Sequence, residues 1–149
     1  MMKRSILALI VVAVATLTSC SHPSEILQLE YMPSPRPNAV FSPAVRVGNV
    51  LYLSGQIGTD SANRLVAGGI QAEGRQALNN VKATLERYGS SLDRVVKCTV
   101  FLADIKDYDA FNEIYISYFR ARRPARSAMA AAGLALGARV EIECMAVTS

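Results

Sequence analysis

Apolar residues Ile70, Ala77, Leu78, Val81, Leu85 and Tyr88 recur at the spacing of one helical face, which predicts an amphipathic helix over Ile70–Tyr88, stopped by Gly89-Ser90-Ser91. A second helical period, Tyr108, Phe111, Tyr115, Tyr118 and Phe119, predicts a helix over Asp107–Arg120 with Asp107 or Asp104 as its N-cap. That aromatic stripe reads as core rather than as a stacking platform. Elsewhere the period is two. Val45–Ser54 divides into two short strands at the hairpin signal Gly48-Asn49, and Asp93–Leu102 is a strand rich in β-branched residues. Ala125–Ala131 and Arg139–Thr148 close the chain as strands, and Ile26–Tyr31 alternates well enough for an edge strand. The order strands, helix, strand, helix, two strands predicts an α+β fold, a mixed sheet with two helices laid on one face.

Period two also sorts the last strand into faces. Val140, Ile142, Cys144 and Ala146 share one that suits a helix-backed core, whereas Glu141, Glu143, Met145 and Val147 share the other. A single chain has no further element to cover that second face, so a homo-oligomer is expected. Glu143 is expected at that interface.

The N-terminus follows a different pattern. Lys3-Arg4 precede the apolar run Ile6–Ala15, too short to span a membrane and suited to the core of a signal peptide. The run ends in Leu17-Thr18-Ser19-Cys20, which resembles the bacterial lipobox, whose cysteine is lipidated and becomes the mature N-terminus. The expected organisation is a signal peptide over residues 1–19, Cys20 and a Pro-rich tether over 20–38, and a domain over 39–149. Ser21 resembles the residue that follows the lipid-bearing cysteine of outer-membrane lipoproteins. The expected location is the cell envelope, lipid-anchored on the periplasmic side. Fully extended at ~3.1 Å per residue, the tether would reach about 50 Å.

With 149 residues, 51% hydrophobic and 19% charged, the chain has apolar material for one packed domain. Its formal charge of +4 falls to +2 when Lys3 and Arg4 leave with the signal peptide, which removes the electrostatic argument for nucleic acid. Arg120, Arg122 and Arg123 remain clustered and read as a solvated helix end, with steering of an anionic substrate as the other use. Once Cys20 is assigned to the anchor, Cys98 and Cys144 are expected as separate buried apolar side chains rather than as a disulfide. There is one histidine, His22, beside the anchor, and no paired cysteine spacing, so no metal site is expected.

Two charges stand where a core would normally refuse them. Arg126 opens an otherwise uncharged run, Pro124–Leu134, and Glu141 lies inside an apolar strand. A buried guanidinium needs a carboxylate, from the protein or from a ligand, and its planar fork matches one bidentately. Ser54-Gly55, at a strand end, offers a hydroxyl and an approachable backbone N–H suited to an oxyanion or simply marks a strand exit.

Pro124-Ala125-Arg126-Ser127-Ala128-Met129 and Val140-Glu141-Ile142, at this separation, resemble the C-terminal signature of the Rid (reactive intermediate deaminase, YjgF-type) family. Gly48-Asn49-Val50, Ser54–Ile57, Arg75–Val81 and Asn112 follow in the family's order, and the similarity runs from about Phe41 to Val147. The resemblance implies a chorismate-mutase-like fold, a homotrimer with a barrel-like centre and clefts between subunits. It also implies hydrolysis of enamines and imines such as 2-aminoacrylate and 2-iminobutyrate to 2-oxo acids and ammonia, with no cofactor. By that resemblance Arg126 grips the substrate carboxylate and Glu141 positions or activates water, while Ser54, Gly55, Asn112, Phe41 and Ala128 line the cleft. Phe41 stands where the hydrolytic branch commonly has tyrosine, and Ala128 where cysteine is frequent. The alternative readings are a non-catalytic trimeric envelope module binding small carboxylates or a protein partner, a buried Arg126–Glu141 ion pair at a subunit interface, and an endoribonuclease, for which there is no catalytic histidine pair.

Overall fold

The computed structural model describes residues 27–148; the expected signal peptide, Cys20 and His22 lie outside them. The elements are β1 (Leu29–Tyr31), β2 (Ala44–Val47), β3 (Val50–Leu53), β4 (Gln56–Ile57), α1 (Gly69–Arg87), β5 (Val95–Leu102), α2 (Tyr108–Tyr118), β6 (Ala125–Ala130) and β7 (Val140–Val147). They form one sheet in the order β1-β2-β3-β7-β5-β6, with β4 also paired to β7. Only β5 and β6 are parallel, so α2 is the crossover between them.

Both helices cover the face that β7 presents through Val140, Ile142, Cys144 and Ala146. Leu51, Val100, Leu102, Leu78, Val81, Leu85, Phe111 and Ile114 complete that core, all fully buried. The opposite face is open, with Tyr52, Met129 and Met145 exposed on it. The expected mixed sheet backed by two helices is therefore the observed fold, and β1 draws part of the expected tether into the sheet.

The register places recognisable groups at the two ends of the sheet. At one end lie the start of β1, the Gly48-Asn49 turn, the start of β5, the loop before β6 and the end of β7. Gly48 turns there at φ 59°, a conformation that costs glycine little. The far end carries Ser42, Ser54, the α1 and α2 N-termini and the loop before β7.

Three expectations change. Cys98 and Cys144 are directly opposed on neighbouring strands and form a disulfide, with Cα atoms 4.1 Å apart. Taken singly, each looked like a small apolar filler; cross-strand register brings them together. Asp107 precedes α2 without capping it, because its carboxylate turns to Arg139 instead, and Asp104 caps the preceding 3₁₀ turn by accepting from the Lys106 N–H. The aromatic stripe of α2 is also not all core: Tyr108 is exposed, and with Tyr115 it lies against Arg126.

Candidate active site

Arg126 lies on β6, an edge strand, in register with Cys98 of β5. Laterally paired residues point to one face, so the guanidinium extends toward α2 rather than into the open face. There it donates to Asn112 Oδ1 at 2.7 Å and to Tyr108 Oη at 3.3 Å. Its carbon lies 4.6 Å from the Tyr115 ring centroid and 5.5 Å from that of Tyr108. Ala128, two residues on, shares that face and packs against the core. No carboxylate among the described residues reaches ion-pair distance of Arg126. Two aromatic faces and one amide oxygen hold the cation without neutralising it, which leaves it able to take an anion.

Tyr115 is buried, and its hydroxyl has no hydrogen-bond partner among the described residues. Burial pushes that hydroxyl up to about 12, against the opposing pull of Arg126. The ring therefore stays neutral beneath the guanidinium.

Glu141 points the other way. It is in register with Phe101 and Ile57, one residue out of phase with the buried set, and so emerges on the open face. Between Tyr52↔Met145 and Gln56↔Ile142 the pairing gains one residue, a bulge around Ser54-Gly55. The bulge sets Gly55 against the carboxylate: a Cβ at this position would overlap Glu141 Oε1. The Ser54 hydroxyl is committed to Ser42 O at 2.7 Å, and its N–H to Pro43 O. This ties the 42–43 segment to the bulge, and Phe41, just before it, is 61% exposed.

The seven residues expected at the site thus fall into two groups. Arg126, Asn112 and Ala128 gather on the helix face at the β6 edge; Glu141, Gly55, Ser54 and Phe41 gather toward the far end of the sheet. Strand spacing of about 4.8 Å and rise of about 3.3 Å put Arg126 and Glu141 roughly 14 Å apart along the sheet, on opposite faces. One chain does not bring them together.

A network on two buried carboxylates, Glu73 and Asp107, escaped the sequence reading. Glu73 Oε2 accepts from the Arg139 backbone N–H at 2.8 Å, and Asp107 Oδ2 accepts from Arg139 Nε at 2.8 Å and Nη2 at 2.6 Å. It pins the loop that leads into β7 and hence Glu141. The available signal was Glu73, a carboxylate four residues before Ala77 on the apolar stripe of α1.

The profile of the endoribonuclease L-PSP family matches residues 32–148. The chain belongs to this family, to which the Rid and YjgF proteins also belong. It is 47% identical over 108 residues to the human 2-iminobutanoate/2-iminopropanoate deaminase, covering 72% of this chain and 79% of that one. Protein HMF1 of Saccharomyces cerevisiae is 45% identical over 113 residues, covering 76% and 88%. The crystal structure of YEO7_yeast superposes with a TM-score of 0.77 at 42% identity, covering 82% of this chain and all of that one. Family membership thus agrees with the α+β fold read from the pattern. Relatives carry names of two activities, endoribonuclease and imine deaminase.

Proposed function

We propose that this protein hydrolyses small 2-imino acids, and the enamines that tautomerise to them, to 2-oxo acids and ammonia. The observation that carries the reading is Arg126: a cation held by Tyr115, Tyr108 and Asn112 with no carboxylate from the described residues, in a chain 47% identical to a named 2-iminobutanoate/2-iminopropanoate deaminase. Its fork would hold the substrate carboxylate. Water would add to C2 as the C=N electron pair moves to nitrogen. Glu141 would take a proton from the water and return it to the nitrogen. Glu141 would next carry the carbinolamine hydroxyl proton to the nitrogen, and the C–N bond would break as the carbonyl forms, releasing ammonia. Gly55 leaves room for that carboxylate.

Because the two groups of residues lie on opposite faces, the reading requires the Arg126 group of one subunit to meet the Glu141 group of another. The homotrimer implied by the Rid resemblance would do this, and would cover the open face bearing Tyr52, Met129 and Met145. Separately, we propose an envelope location: the Leu17–Cys20 segment that resembles a lipobox would supply the anchor, and the Cys98–Cys144 disulfide suits an oxidising compartment.

The test is complementation. Arg126→Ala and Glu141→Ala should each abolish 2-iminobutanoate hydrolysis above the uncatalysed rate. Mixed, unfolded and reassembled together, they should regain about a quarter of wild-type activity, the share of interfaces that pair two intact halves. No activity in the wild type removes the reading. If the wild type is active but the mixture is not, the two halves are not shared between subunits. Ligand-induced stabilisation lost in Arg126→Ala but without turnover would instead support a carboxylate-binding module.

A further inference from the structure

The end of the sheet at which the described chain begins also carries a cluster of arginines. Leu27 lies beside the Gly48-Asn49 turn, since a Cβ on Gly48 would approach its side chain to 2.8 Å and the Gly48 N–H donates to Gln28 O at 3.0 Å. Asn49 O in turn accepts from the Thr148 N–H at 2.8 Å, and Thr148 O accepts from Arg94 Nη1 at 3.0 Å. Next to Arg94 opens a groove of about 700 Å³ whose walls include Arg122 and Arg123. Arg120 precedes them on the same loop. All four arginines are exposed, and neither Arg122 nor Arg123 has a hydrogen bond or ion pair to any described residue. Asp93 is the only acidic residue in the groove wall. A solvated helix end accounts for Arg120, which donates to Ser117 O, but not for three further arginines gathered from two segments distant in sequence.

We propose that this end is a docking surface for an anionic phospholipid bilayer, with Arg94, Arg120, Arg122 and Arg123 meeting the headgroups. The inference rests on the reading of Cys20 as a lipid anchor. Two features select this occupant. From Cys20 to Leu27 the chain can span at most about 25 Å, so the end where Leu27 enters faces the membrane and stays within reach of it. The charge at that end is complementary to anionic headgroups, whose attraction for arginine acts within about a Debye length of the surface. The anchor would supply residence and the arginines orientation, turning the far end, with Glu141 and Gly55, away from the bilayer.

The experiment uses residues 21–149, the chain without the expected signal peptide and anchor cysteine, so that neither lipid nor the apolar run Ile6–Ala15 contributes, in co-sedimentation with vesicles of phosphatidylethanolamine with or without phosphatidylglycerol. Binding should favour the phosphatidylglycerol vesicles and weaken as salt rises. Adding Arg122→Ser and Arg123→Ser should lower that binding by roughly an order of magnitude or more, with the thermal midpoint unchanged. Arg36→Ser and Lys106→Ser, at the far end, should leave it as it was. Equal binding to both vesicles, or a phosphatidylglycerol preference that survives Arg122→Ser/Arg123→Ser, overturns the proposal. So does tighter binding of a short single-stranded RNA than of the anionic vesicles, lost in the same variant. Labelling of the full chain by radioactive palmitate in a Gram-negative host, absent in Cys20→Ser, tests the anchor separately. If no label enters, the anchor reading fails while the vesicle result still decides the surface.

Discussion

The guanidinium of Arg126 lies 4.6 Å from the centroid of the Tyr115 ring, whose own hydroxyl is buried without a partner among the described residues. The tyrosine therefore serves through its face. Tyr115→Phe should keep affinity for a small 2-oxo acid and leave stability equal or higher by up to about 1 kcal/mol, since it removes an unsatisfied group. Tyr115→Leu should weaken that affinity about five- to tenfold through loss of the cation–π contact. Calorimetric titration of both variants checks this.

The same hydroxyl carries a pH signature. Its value rises from 10.0 in the unfolded chain to about 12 in the fold, so the folded state holds the proton more tightly. That contribution to stability is full below about pH 10 and is lost as pH rises toward 12. Wild type should lose stability over this alkaline window by more than Tyr115→Phe does, as followed by urea unfolding. Between pH 6 and 9 Tyr115 should add no inflection to the rate profile.

Gly55 and Glu141 make a second exact-fit pair, because a methyl at 55 would begin where the carboxylate oxygen lies. Gly55→Ala should turn Glu141 aside and lower kcat/KM about a hundredfold. Stability should fall by less than about 2 kcal/mol, since a flexible carboxylate is what must move. Gly133→Ala, with nothing within 4 Å of the added carbon, is the control and should change neither quantity.

The Cys98–Cys144 disulfide spans 46 residues, a loop whose closure is worth about 4 kcal/mol in the chain-entropy account. Dithiothreitol should lower the urea midpoint of the wild type substantially. The double variant Cys98→Ala/Cys144→Ala should be insensitive to it. Equal midpoints with and without reductant would show that the bridge adds nothing to stability.

Arg139→Ala would strip Asp107 of both side-chain donors, while the Arg139 backbone N–H would keep Glu73. With Asp107 12% and Arg139 44% exposed, solvent screening limits the expected loss to about 2 kcal/mol. Glu73→Gln keeps an acceptor for that N–H and should cost less than Glu73→Leu, as thermal unfolding would show.

Much of this architecture was legible without coordinates, because helical and strand periodicities are local. Ala77, Leu78, Val81, Leu85 and Tyr88 read as one face, and they are buried as one face. The alternation of β7 likewise separated Glu141 from Ile142 before any partner strand was known. Arg126 and Glu141 also stood out individually, since charge in an apolar run carries a desolvation cost that calls for a reason.

What periodicity leaves open is phase between strands. Whether Arg126 shares a face with Glu141 depends on the register of β6 on β5 and of β5 on β7, where a slip of one residue reverses every side chain. That register is set by the helix-backed core and places the two residues on opposite faces. It also opposes Cys98 to Cys144, draws Asp107 from its helix to Arg139, and gathers Arg94 with Arg122 and Arg123 at the same end of the sheet as the start of β1. Sequence determined the elements and the unusual charges; packing and register, which act between residues far apart along the chain, decided which of them meet.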